Sequence, residues 1–115
     1  MSTRHLSTEE ESFVRRLLSR SVQWAHLAEG LSEALVEEMR DGGMGSLRFH
    51  PELPRPSAAI QIIEALFVDT DGVAVSATIN IDAAGRLLEL DVFKGDFSPL
   101  LALPVEGDVV RFRDS

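Results

Sequence analysis

The chain has no cysteine, a single lysine (Lys94) and no apolar run long enough to cross a bilayer. Each absence removes a class of protein. Without thiols there is neither a disulfide scaffold nor a thiolate zinc site. A membrane helix needs roughly 18–20 consecutive apolar residues, and none is found. Met1 to Ser12 lacks the apolar centre of a secretory leader and carries Glu9, Glu10 and Glu11, so a cytoplasmic, bacterial-type location is expected. Positive charge is scarce too: 11 Lys and Arg stand against 19 Asp and Glu, a formal net charge of −8. A nucleic-acid binder needs a basic face to neutralise phosphates, and an anionic membrane surface asks for the same, so neither is an expected partner. A basic protein remains a compatible one. Apart from Lys94 every basic residue is Arg, which reads as composition bias and not as guanidinium chemistry.

What is present describes an ordinary globular domain. The 115 residues are 44% hydrophobic and 26% charged, enough for one core without staples. A single domain over 1–115 is expected, with 1–6 and 113–115 as fraying ends. Ser7-Thr8-Glu9-Glu10-Glu11 opens a helix: Ser7 with Glu10, or Thr8 with Glu11, makes a capping box. Phe13, Val14, Leu17 and Leu18 then recur at helical spacing. Trp24, Leu27, Ala28 and Leu31 predict a second helix over about Ser21 to Glu29, with Gly30 as its stop. Leu31 to Met39 either prolongs that helix or, as the turn chemistry favours, Leu35–Arg40 and Leu47–His50 form a hairpin around a glycine loop. Pro51, Pro54 and Pro56 make 51–57 an exposed connection.

The second half alternates with period two. Ile60–Val68, Val73–Ile81 and Leu87–Phe93 read as strands, joined by Asp69-Thr70-Asp71-Gly72 and Asp82-Ala83-Ala84-Gly85. Connectors this short demand adjacent antiparallel strands, hence a β-meander. Parity puts Ile63, Ala65, Phe67, Val73, Val75, Ala77, Ile79, Ile81, Leu88, Leu90 and Val92 on one face. Glu64, Ser76, Thr78, Asn80, Glu89 and Asp91 fall on the other, read as solvated. The expected architecture is α+β: two N-terminal helices packed on an antiparallel β-meander of about five strands.

Chemistry is thinly signalled. His5, His26 and His50 are scattered, no nucleophile elbow occurs, and no His stands near Ser46 to activate it, so no catalytic or metal-binding residue is assigned. Asp69-Thr70-Asp71-Gly72 lacks the later ligands of a calcium loop and reads as a hairpin turn. No cofactor is expected. Two stretches stand out. The first, Asp41-Gly42-Gly43-Met44-Gly45-Ser46-Leu47, lacks both the dinucleotide and the P-loop spacing, and reads as a demanding turn that can also contact a ligand. The second runs from Glu89 to Leu100. Within it, Lys94 is bracketed by Asp91 and Asp96, suggesting an ion pair, and Asp96 before Ser98-Pro99 suggests an Asx-type turn. Phe93 and Phe97 are expected to anchor that turn by burial.

Met39-Arg40-Asp41-Gly42-Gly43-Met44-Gly45-Ser46-Leu47, Phe67-Val68-Asp69-Thr70-Asp71-Gly72-Val73 and Glu89 to Leu100 together resemble a small bacterial domain of unknown function. In that pattern the Phe93 position is usually Trp and the Gly95 position usually Val. The resemblance runs from about Arg4 to Pro104 and implies no reaction. The expected function is therefore that of a non-enzymatic binding domain, an immunity-type or regulatory partner of a basic protein. The alternative is a small-molecule site or enzyme between the glycine loop and the 91–98 segment. The candidate binding residues are Asp41, Gly43, Met44, Ser46, Asp91, Lys94, Asp96 and Ser98.

Overall fold

A computed structural model describes residues 2–56, 58–104 and 109–114. The fold is α+β: helix α1 (Thr8–Ser19) and a 3-10 segment (Ala25–Glu33) lie on one face of a seven-stranded antiparallel sheet. The strands are β1 (Thr3–His5), β2 (Leu35–Glu38), β3 (Leu47–Phe49), β4 (Ile60–Val68), β5 (Ala74–Ile81), β6 (Leu87–Lys94) and β7 (Val109–Asp114). Their spatial order is β1-β2-β3-β6-β5-β4-β7.

The five expected strands are β2 to β6. The hairpin reading of 35–50 holds, with Val36 opposite Phe49 and Glu38 opposite Leu47. The sheet is wider than expected because a strand is added at each edge. Thr3–His5, expected to fray, pairs with β2, and Arg4 is held by Glu10 and Glu38. At the other edge β7 pairs with β4, Phe112 opposite Ala65 and Arg113 opposite Glu64. Met1, Ser57 and Ser115, covered by the expectations for the ends and the 51–57 connection, lie outside the described residues.

Helix α1 uses the first of the two capping boxes. The Ser7 hydroxyl accepts from the Glu10 N–H at 3.1 Å, and the Glu10 carboxylate accepts from the Ser7 N–H at 2.8 Å. Burial pushes the Glu10 carboxyl up, but hydrogen bonds from Arg4 and Ser7 outweigh it and hold it below its ordinary range. The second helix is corrected. Residues 25–33 form a 3-10 run that passes through Gly30 instead of an α-helix that stops there. Its ends are fixed, by the Ser21 N–H bonded to Leu18 and by Leu35 paired with His5. Nine residues at the 3-10 rise of about 2.0 Å span about 18 Å, against about 14 Å for an α-helix. The longer reach fits a tethered crossing.

Phe13, Val14, Leu17, Leu18 and Leu31 meet Ile63, Ala65, Phe67, Val75, Ala77 and Ile79 in one core, with Phe13 edge-on to Phe67 at 5.7 Å. The pairing of Phe67 with Val75, Ala65 with Ala77 and Ile63 with Ile79 places the residues as parity predicts. Two do not follow. Val73 lies before β5 and outside the buried core. A register shift between Asn80 and Ile81 pairs Ile81 with Leu87, so Leu87 takes the core position expected for Leu88.

Candidate functional site

The glycine loop closes on its own aspartate. Asp41 accepts from the Met44 N–H at 3.1 Å and from the Ser46 N–H at 2.9 Å. Gly42, Gly43 and Gly45 all have positive φ, the region that favours glycine. Space is short as well. A Cβ on Gly43 would lie 3.3 Å from Pro99, and one on Gly45 would lie 3.3 Å from Leu100. The Gly43 carbonyl accepts from the Leu100 N–H at 3.0 Å. The loop and the segment after β6 therefore meet as closely packed backbone.

Three further links join them. The buried Ser46 hydroxyl accepts from the Val92 N–H at 2.8 Å and donates to the Val92 carbonyl at 3.2 Å. The Lys94 N–H points at the Met44 sulfur, 3.3 Å away. Lys94 itself turns inward: its side chain is 0% exposed and its ammonium donates to Asp69 at 2.8 Å, Asp71 at 2.7 Å and the Pro99 carbonyl at 3.1 Å. An ammonium has three protons. All three are engaged.

The ion pair anticipated at Lys94 thus exists with other partners. Asp91 and Asp96 flank Lys94 in sequence, but its two carboxylate partners come from the β4–β5 turn. Strand parity is the reason and the overlooked signal. Lys94 lies two residues beyond Val92 on the core face, and Asp69 lies two beyond Phe67 on the same face. Phe67, Val75 and Lys94 form one row across the sheet. Asp69 also accepts from the N–H groups of Thr70, Leu101 and Ala102. Burial pushes its carboxyl up, yet Lys94 and those three N–H groups outweigh it and bring it down to about 2. For Lys94, burial works against the charge, and the hydrogen bonds to Asp69 and Asp71 more than restore it, leaving the amine raised. This amine stays protonated and has no role as a base or nucleophile in this geometry.

The remaining candidates face outward. Asp96 accepts from the N–H of Ser98 at 3.0 Å and its hydroxyl at 2.6 Å, the expected Asx-type turn. Asp91 accepts from the Asn80 amide at 2.7 Å on the outer sheet face. Burial raises its carboxyl, and the charges of Glu89 and Asp41 add to the effect. This face is half-buried along Glu64, Ser76, Thr78, Glu89 and Asp91, less open than a freely solvated sheet. Phe93 and Phe97 are a second correction. They are 46% and 68% exposed and pack edge-on against each other at 5.2 Å, with Phe97 at φ +63°. Across the outer face Phe93 shares a row with Ser76 and Leu66, next to the row of Asp91, Thr78 and Glu64. Among the described residues no three His, Asp or Glu side chains are grouped to hold a metal ion, and no helix is long and apolar enough to cross a membrane.

No curated protein and no solved structure shows a significant match to the chain. One family model does, and it spans residues 3–104, from β1 through the glycine loop and the Lys94 cluster to Pro104. The chain therefore belongs to the family described as Domain of unknown function (DUF6984).

Proposed function

We propose that this chain is a non-enzymatic binding domain of the bacterial cytoplasm, an immunity-type or regulatory protein that docks a basic protein on the outer face of its sheet. The observation that carries this reading is the exposed Phe93–Phe97 pair one row from Asp91, whose carboxylate lies within electrostatic reach of Glu89 and Asp41. Exposed aromatics provide large contact area at small entropic cost and are frequent anchors of interfaces. Neighbouring charge steers a partner of opposite sign and sets orientation. Arg48 stands opposite Glu89, so the uncompensated acidic character lies at Asp91 and Asp41, where β6 meets the glycine loop. The alternative, a small-molecule site between that loop and residues 91–98, finds less support, because the two segments meet by packing and Lys94 offers no free proton or lone pair.

The test is a pull-down from the native host with mass spectrometry, followed by affinity measurement on the captured protein. A basic partner is expected, with binding that weakens as salt rises. It should fall at least about tenfold in Phe93→Ser/Phe97→Ser and again in Asp91→Lys, each tenfold being about 1.4 kcal/mol. Capture of an acidic partner, or affinity indifferent to both variants, would overturn the reading.

A further inference from the structure

The opposite end of the sheet carries a cleft of about 480 Å³, within the range of about 300–1,000 Å³ typical of small-molecule sites. The 3-10 segment forms one wall, and the end of β3 with the β5–β6 turn forms the other. Its floor is apolar, with Leu27, Leu31, Phe49 and Leu87. Its rim is not.

Glu33 stands on the 3-10 wall and carries no hydrogen bond or ion pair among the described residues. Arg86 stands on the turn wall. Its Nε donates to Asp82 at 2.9 Å, and its two terminal nitrogens carry no hydrogen bond among the described residues. His50 also lines the cleft, at φ +51°, a conformation uncommon for a residue with a Cβ, and its Nδ1 lies 3.7 Å from Glu52. Strained backbone of this kind gathers at ligand clamps. Both oxygens of Asp82 are engaged, accepting from the Ala84 N–H, from the Arg86 N–H and from the Arg86 side chain.

We infer that this cleft binds a small zwitterion with an apolar body, the chemistry of a free apolar amino acid. Its carboxylate lies on the terminal nitrogens of Arg86, its ammonium on Glu33, and its side chain on the Leu31–Phe49–Leu87 floor. A plain fatty acid leaves Glu33 unmatched, and a plain amine leaves Arg86 unmatched. The site lies at the other end of β6 from Phe93 and does not depend on the docking reading.

Titration of the full chain with L-leucine and L-phenylalanine, followed by calorimetry and amide NMR, tests the inference. Saturable binding with a Kd below about 1 mM is expected, with shifts confined to residues around 30–35, 49–52 and 85–87. N-acetyl-leucine and leucinamide should each bind at least about tenfold more weakly, the equivalent of about 1.4 kcal/mol. Arg86→Gln should weaken leucine to a similar extent. Gly30→Leu is the second variant, because a Cβ there meets nothing within 4 Å and a larger side chain can fill the cleft without disturbing the fold. It should abolish binding while the amide spectrum stays dispersed. No saturation by either amino acid, equal affinity for the blocked forms, or undiminished binding by folded Gly30→Leu would each overturn the assignment.

Discussion

Lys94 matches three protons to three acceptors, and the match explains why the sequence tolerates a charge on the core face. Removing one partner of such a cluster costs more than the cluster itself contributes, since the remaining charges stay desolvated. Lys94→Ala leaves Asp69 without its cation and opens a void beside Val75. Thermal melts should show a large loss of stability at neutral pH. The loss should shrink on acidification, because a protonated Asp69 no longer needs the ammonium. A melting temperature equal to that of the parent would rule out the structural role. The lysine's importance was legible from its rarity, and its partners were legible from parity, two residues beyond Val92 and two beyond Phe67. Reading Asp91 and Asp96 as partners failed because neighbours in a strand point to opposite faces or leave it altogether.

At the scale of elements, the β2–β3 hairpin owes its register to a loop that only glycine can make. Gly43 combines φ +83° with a Cβ position 3.3 Å from Pro99. Gly43→Ala should cost about 1–2 kcal/mol for the left-handed backbone alone, with more if Pro99 cannot yield. Chemical denaturation measures it, and an unchanged midpoint would mean that the loop relaxes freely. Turn chemistry and alternation were strong in the sequence, and β2 to β6 followed from them. The 3-10 segment was not legible, because the apolar spacing of Trp24, Leu27, Ala28 and Leu31 suits either helix. β1 has three residues and no period to read. β7 did carry one: Val110 and Phe112 alternate with Arg111 and Arg113, a signal hidden by their place near the end of the chain.

For the whole molecule the ionisable groups set a pH window. Asp69 is lowered from its ordinary 3.8 to about 2, and Glu10, Asp82 and Asp96 are lowered as well. Groups whose folded value is depressed contribute stability that is present above the unfolded value and lost as pH falls through the folded one. Asp91 has the opposite sign, since its raised carboxyl favours the folded state when protonated. Raised Lys94 loses its contribution only above its ordinary 10.5. Melts followed by circular dichroism should therefore show a plateau from roughly pH 5 to pH 10 and a steep acid limb between about pH 4 and pH 2. A decline that begins near pH 6 would show that another group governs acid stability. The outer face, where the proposed partner docks, was legible as acidic. Phe93 and Phe97 look like core residues by hydrophobicity alone, although parity with Glu89 and Asp91 puts Phe93 on the outer face.

Because the chain's one lysine is sealed inside the fold, its ε-amine is a silent reporter. Acylating reagents and amine cross-linkers should leave Lys94 untouched in the native protein and modify it whenever the β6 end opens. The rate of its acylation, read by mass spectrometry, then measures the frequency of that opening without any introduced label. Rapid modification under native conditions would show that this corner breathes independently of the rest.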